Sequence, residues 1–338
     1  MDRDRRSIIR AFAAGLVLPV SHRAFSQSNS DARRVAWFAG GYNNLKEVRD
    51  AFERRLTERG WRNGRNITMR VFEFRSDSGL STDAAIASML EWRPALIVVS
   101  GNAYSLKLKQ ANINVPVLFH LVSDPVAAGL VTSLSRPGGN FTGVTTAENV
   151  LATKRLELAR QLFPTAKRVA IVYSKENEPF LKNILTEVGQ SASRLMLEVA
   201  LIDLRGKGQT VDEMLSRIQA AAADAVIPVG ELSFNDPADP YLVKGLKAML
   251  DSQSKAPFID NDLQSVETGF LVAVGELEAD RIRALADTTA KVLSGTNPAM
   301  IPVDEATNIQ VWINLKTAKA LGIKIPQSIL VRADRVIE

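Results

Sequence analysis

The sequence predicts an α/β protein of two Rossmann-like lobes, each built on a parallel sheet and joined by a multi-strand hinge. Three observations carry that reading. The 338 residues exceed what a single hydrophobic core usually holds. Short apolar runs alternate with amphipathic stretches, the pattern of parallel strands flanked by helices. The order of those runs in the first half returns in the second. The expected division is an export leader at 1–26, a first lobe at 31–145, a second at 150–258, and returning segments at 259–338 that cross the hinge and complete both lobes.

Arg34–Phe38 is the first expected strand, followed by a helix on which Leu45, Val48, Phe52 and Leu56 recur at helical spacing up to Gly60. Ile67–Phe74, Ala95–Val99 and Val115–Phe119 supply three more strands. In the second half Arg168-Val169-Ala170 repeats Arg34-Val35-Ala36, and Leu197–Asp203, Ala225–Val229 and Pro257–Ile259 then follow in the same order. Any βαβ chain spaces its strands by about 30 residues, so part of this echo is generic. The unbroken order favours duplicated halves. Crossings between lobes are expected around Phe141–Val150, Phe258–Gly269 and Pro298–Ile309, the last leading into a strand at Ile309–Ile313 and a helix at Leu315–Leu321.

Composition removes several function classes. Cysteine is absent and the two histidines are His22 and His120, which leaves no disulfide, no thiol nucleophile and little material for a histidine or zinc centre. No catalytic residue, metal or cofactor is therefore expected. The net charge of +5 is concentrated in Met1–Ser26, where five arginines meet two aspartates. The remainder is too weakly basic for a nucleic-acid partner. No internal apolar run of about 18 residues is present, so the body is not expected to span a membrane.

Met1–Ser26 has an arginine-rich head, an apolar run at Ala11–Val20 and a small-residue exit near Ser26, the order of an export signal. Arg5-Arg6 resembles a twin-arginine pair, with general secretion left open as the route. A basic helix that stays attached is the alternative. The expected location is the periplasm, with cleavage near Ser26.

In open α/β sheets ligands bind beyond the carboxyl ends of the strands, so two facing lobes make a cleft lined by strand-to-helix loops. The first lobe offers Gly41, Tyr42 and Asn43, then Ser100 and Asn102, then Ser123 and Asp124. Small hydroxyls and amides there suit a carboxylate. Asp124 reads equally as an N-cap before Pro125. The second lobe offers Tyr173, Glu231, Asp260 and Asp262, an acidic set suited to an ammonium. Donors on one side and acids on the other fit a zwitterion. The Gly40-Gly41 pair lacks the further glycine of a nucleotide fingerprint. Arg136-Pro137-Gly138-Gly139-Asn140 reads as a structural turn, and Lys154, Arg155, Glu157 and Arg160 as a solvated helix face.

Three blocks resemble the substrate-binding proteins of ABC transporters of the tryptophan and tyrosine type. They are Val115–Phe119 through Val122-Ser123-Asp124-Pro125 to Arg136–Asn140 and Thr142-Gly143-Val144; Lys154–Leu158 into Phe163-Pro164 and Lys167–Ala170; and Ile313–Gly322 with Ile325-Pro326 and the ending Arg332–Glu338. The resemblance implies a periplasmic-binding-protein type I-like fold, an amino acid or aromatic-acid-like small-molecule ligand, and delivery to an inner-membrane ABC permease. A monomer is expected. Asp260-Asn261-Asp262 and Thr268–Gly275 depart from the family's usual pattern, which touches the second lobe's side of the cleft. A small-molecule enzyme and a ligand-sensing regulator of the same fold stay open as alternatives.

Overall fold

The computed structural model describes residues 32–40, 45–74, 81–173, 178–203, 211–230, 256–305 and 307–338. The expected leader lies outside the described residues. The first lobe opens with β1 (Arg33–Gly40), α1 (Leu45–Glu58), β2 (Ile67–Phe74), α2 (Thr82–Glu91), β3 (Leu96–Ser100), α3 (Asn102–Gln110), β4 (Val117–Val122) and β5 (Phe141–Thr145). Both faces of β1 are covered, which explains why it is apolar without alternation from Val35 to Ala39, after the exposed Arg33 and Arg34. Val35, Trp37 and Ala39 face one layer with α1, while Ala36 and Phe38 face the other with α2 and α3. On α1 the buried Val48, Phe52 and Leu56 form the expected stripe.

The second lobe repeats the plan with α4 (Glu148–Leu162), β6 (Arg168–Tyr173), α5 (Glu178–Arg194), β7 (Glu198–Asp203), α6 (Val211–Ala220), β8 (Ala225–Pro228), β9 (Ile259–Asp260) and β10 (Val272–Glu276). The chain then returns through α7 (Glu278–Leu293), β11 (Asp304–Glu305), β12 (Ile309–Asn314), α8 (Leu315–Ala320), α9 (Gln327–Leu330) and β13 (Arg335–Ile337).

Among the described residues the first sheet has the order β11-β5-β4-β3-β1-β2, all pairs parallel. The second runs β7-β6-β8, is joined to β9 by a parallel bridge between Val226 and Phe258, and continues through β10, β12 and β13. The first five strands of each half thus share one spatial order, the topological form of the echo in sequence. One pair departs from the expected parallel sheets. β12 lies antiparallel to β10 because it enters from the other lobe.

α7 belongs to the first lobe. Its Ile282, Leu285 and Ala286 pack with α1 residues, and Asp287 takes Arg55 Nε at 3.1 Å and Arg59 Nε at 2.7 Å. Among the described residues the chain therefore passes between the sheets at 145–148, 276–278 and 305–309. The middle passage was expected at 258–269. Residues 259–276 instead stay in the second sheet, where β9 and β10 pair in parallel.

The turn at Arg136–Asn140 is structural. Thr132 Oγ1 donates to the Arg136 carbonyl at 2.8 Å, and the Asn140 amide donates to the Ile113 and Val115 carbonyls at 2.8 and 2.7 Å.

Candidate functional site

The carboxyl ends of the first sheet are laced together by short polar side chains. Ser100, the last residue of β3, is buried and its hydroxyl meets His120 Nε2 of β4 at 2.5 Å. Asn102 opens α3. Its Oδ1 accepts from the Ser123 amide at 3.0 Å and its Nδ2 donates to Ser123 Oγ at 3.3 Å, so β3 and β4 end in one rigid corner. The N-cap of α3 is Gly101, which supplies no side-chain cap. α2 differs, since Ser81 Oγ accepts from Ala84 N at 3.1 Å.

Asp124 has both oxygens engaged. Oδ1 accepts from Ala127 N at 2.9 Å, the cap geometry, and Oδ2 accepts from Asn183 Nδ2 at 3.0 Å. Asn183 lies on α5 of the other lobe, so this acid ties the two lobes. Phe180, one turn earlier on α5, is fully buried among first-lobe residues that include Val122, Leu130 and Val131.

On the second sheet, Tyr173 ends β6 half-buried, and Asp260 ends β9 with no exposure. Asp262 caps the short 3-10 helix Leu263–Thr268 by accepting from Gln264 N at 2.9 Å. Gly41, Tyr42, Asn43 and Glu231 lie outside the described residues. Of the expected contacts, Ser100, Asn102, Ser123 and Asp124 come together at one corner, while Asp260 and Asp262 form a second group with Asn261 between them.

A chain of buried charges runs between these groups and was missed in sequence. Arg155 was expected on a solvated face, yet it is fully buried and paired with Glu148. The signal was available: Arg155 shares its helical face with Leu151, Ala152 and Ala159, all buried. Glu276 and Arg281 flank the second crossing at 3.8 Å. Burial and then the nearby Arg281 charge push the His120 imidazole down to about 3, so it stays neutral.

Burial pushes Asp260 up to about 7, with the Asp262 charge adding to the effect, and burial likewise pushes Glu276 up to about 7. A carboxyl whose folded-state value lies above its unfolded value binds its proton more tightly when folded. Its contribution to stability is complete below about pH 4 and fades as the pH rises through about 7. The protein should thus melt at a higher temperature at pH 5.5 than at pH 8. Asp260→Asn should flatten that slope, and an unchanged slope in thermal melts would refute the assignment.

Among the described residues no group of three or more His, Asp or Glu side chains is arranged to hold a metal ion, and no helix is long and apolar enough to cross a membrane.

The comparisons with known proteins bear on the fold and the family. A tyrosine-binding protein of Clostridioides difficile (strain R20291) is 25% identical over 287 residues, covering 83% of this chain and 78% of that protein. A solved ABC domain in complex with L-Trp from Streptococcus pneumoniae superposes with a TM-score of 0.75 at 25% identity, covering 90% of this chain and 100% of the other. The ligand-free, open structure of a substrate binding protein with adhesive properties from Clostridium difficile gives 0.65 at 23% identity, covering 90% and 99%. The family model described as ABC transporter substrate binding protein matches residues 41–337, nearly the whole body that carries both sheets. The chain belongs to the ABC transporter substrate-binding protein family.

Proposed function

We propose that this chain is the extracytoplasmic receptor of an ABC importer and captures an amino acid, with an aromatic side chain as first expectation, between its lobes. The observation that carries the reading is the chemical asymmetry of the two facing strand ends. On the first lobe, neutral donors at Ser100, Asn102 and Ser123 surround an α3 N-terminus that no side chain caps, which suits a carboxylate. On the second, Asp260 and Asp262 suit an ammonium, and Glu231 belongs to the same set. Gly41, Tyr42 and Asn43, outside the described residues, stay in the proposed set on their sequence alone, Tyr42 because a tyrosine ring is suited to an aromatic solute. Tyr173 closes the far wall. Asp124 acts through its tie to Asn183, reporting closure. The curated relative's name and the L-Trp complex support the same ligand class.

Export through Met1–Ser26 and handover to an inner-membrane permease belong to this reading, as does the absence of catalysis. Binding is tested by thermal unfolding of the mature protein with L-tryptophan, L-tyrosine, L-phenylalanine, aromatic acids, nucleosides and sugars. A solute at about 100 times its Kd stabilises by roughly 2.7 kcal/mol, which raises the midpoint by about 2 to 4 °C per kcal/mol. Stabilisation by a sugar or nucleoside and by none of the amino acids would overturn the ligand class. Turnover of the stabilising compound would make the protein an enzyme. The mass of the purified mature chain reads whether Met1–Ser26 has been removed.

A further inference from the structure

Removing an ion pair from water costs several kcal/mol per ion, and apolar side chains of similar volume are often as stabilising or more so. A fully buried pair thus calls for a reason other than stability. Glu148 and Arg155 are such a pair, at 2% and 0% exposure. Glu148 is the first residue of α4, directly after Ala147, whose left-handed φ of 43° lies in the first crossing between lobes.

The Glu148 carboxylate does more than meet Arg155. Its Oε1 accepts from Gly230 N at 3.2 Å, and the Asn261 side chain also donates to it. Asn261 Nδ2 donates in turn to the Gly230 carbonyl at 3.0 Å, and Asn261 N donates to Asp260 Oδ1 at 2.8 Å. Gly230 follows β8 and Asn261 follows β9, both at the cleft ends of the second sheet. One carboxylate therefore holds the start of α4 and two cleft-facing loops.

The fit around it is close. A Cβ at Gly230 would lie 2.8 Å from Leu181 Cδ2, at a φ of +83° that disfavours side chains. A Cβ at Gly275 would lie 2.2 Å from the Asn261 carbonyl oxygen, so β10 pins the β9 loop from behind.

We infer that Glu148 and Arg155 are positioning residues for solute capture: the buried pair holds the loops after β8 and β9 in register and fixes them to the first inter-lobe crossing. The inference rests on reading the cleft as the solute site. Arg155 confines the Glu148 carboxylate to one place, and that carboxylate sets where Gly230, Asp260 and Asn261 present themselves.

The test compares wild type with the double variants E148L/R155M and E148Q/R155M. Calorimetric titration with L-tryptophan and L-tyrosine is read beside the thermal midpoint and amide hydrogen exchange over residues 225–230 and 256–264. Both variants remove the two charges together, so each should melt within about 4 °C of wild type. E148Q/R155M keeps an oxygen for Gly230 N and should bind within about threefold of wild type. E148L/R155M keeps none, and should lose about tenfold or more in affinity, equivalent to about 1.4 kcal/mol, with faster exchange at 259–264. A folded E148L/R155M with wild-type affinity and wild-type protection at 259–264 would overturn the inference. So would a collapse of its midpoint, which would make the pair structural. If wild type binds neither probe, the aromatic ligand class fails, and exchange at 259–264 alone decides the positioning role.

Discussion

Arg155→Ala alone should lower the thermal midpoint by roughly 6 °C or more, one of the largest effects expected of any single substitution in the chain. The truncation leaves the Glu148 carboxylate buried without its counter-charge, and breaking a buried pair from one side costs about 3–5 kcal/mol. At about 2 °C or more per kcal/mol this becomes a shift that is easily measured. The sign of its pH dependence follows from the same physics. Burial already holds the Glu148 carboxyl above its ordinary value in the intact protein, with Arg155 pulling it back down. Without Arg155 the proton binds more tightly still, so the deficit should shrink as the pH falls and the carboxyl becomes neutral. Melts at pH 5 and pH 8 check this. A loss below about 1 kcal/mol at pH 8 would mean that water reaches the pair. Against the near-neutral double variants, the result separates the cost of an orphaned charge from the value of the pair.

Phe180→Ala should act on capture rather than on folding. Phe180 belongs to α5 of the second lobe, yet it is buried within the first-lobe cluster, and Asn183 one turn later holds Asp124 at 3.0 Å. Burying a phenylalanine contributes about 1.5–3 kcal/mol. If that burial exists only when the lobes are together, its loss shifts the balance toward open forms and weakens capture by about 10- to 100-fold. The midpoint of the solute-free protein should move little, because each lobe keeps its own core. Small-angle scattering should show a more extended solute-free molecule. The opposite pattern, a midpoint lowered by the full amount with unchanged affinity, would make Phe180 an ordinary core residue.

Much of the lobe plan was legible because strands buried on both faces are apolar without a break. Arg34–Phe38 could be read directly, as could the stripe Val48, Phe52 and Leu56. The shared order of strands in both halves was legible from the order of runs alone. The placement of 259–276 was not. β10 and α7 sit in different lobes although only Leu277 separates them, and no local preference of the chain encodes on which side of a crossing a segment packs. The antiparallel β12 escaped for the same reason, since strand direction depends on where the chain comes from.

The amino-acid sequence by itself determined the α/β class, the duplicated order of strands, and the poverty in histidine and cysteine that speaks against a catalytic centre of those residues. These properties follow from side-chain periodicity and composition, which are local. Only the tertiary structure decided that Arg155 is an interior partner of Glu148 rather than a solvated charge, that Asp124 joins Asn183 across the lobes, and that Glu148 gathers Gly230 and Asn261. The hydrogen bonds behind them join Asp124 to Asn183, Glu148 to Gly230 and Gly230 to Asn261, pairs 59, 82 and 31 positions apart in the chain, while the place of Arg155 turns on which face of one helix meets the core. Burial and counter-charge are properties of the assembled fold, and folding alone brings such distant groups within hydrogen-bonding range.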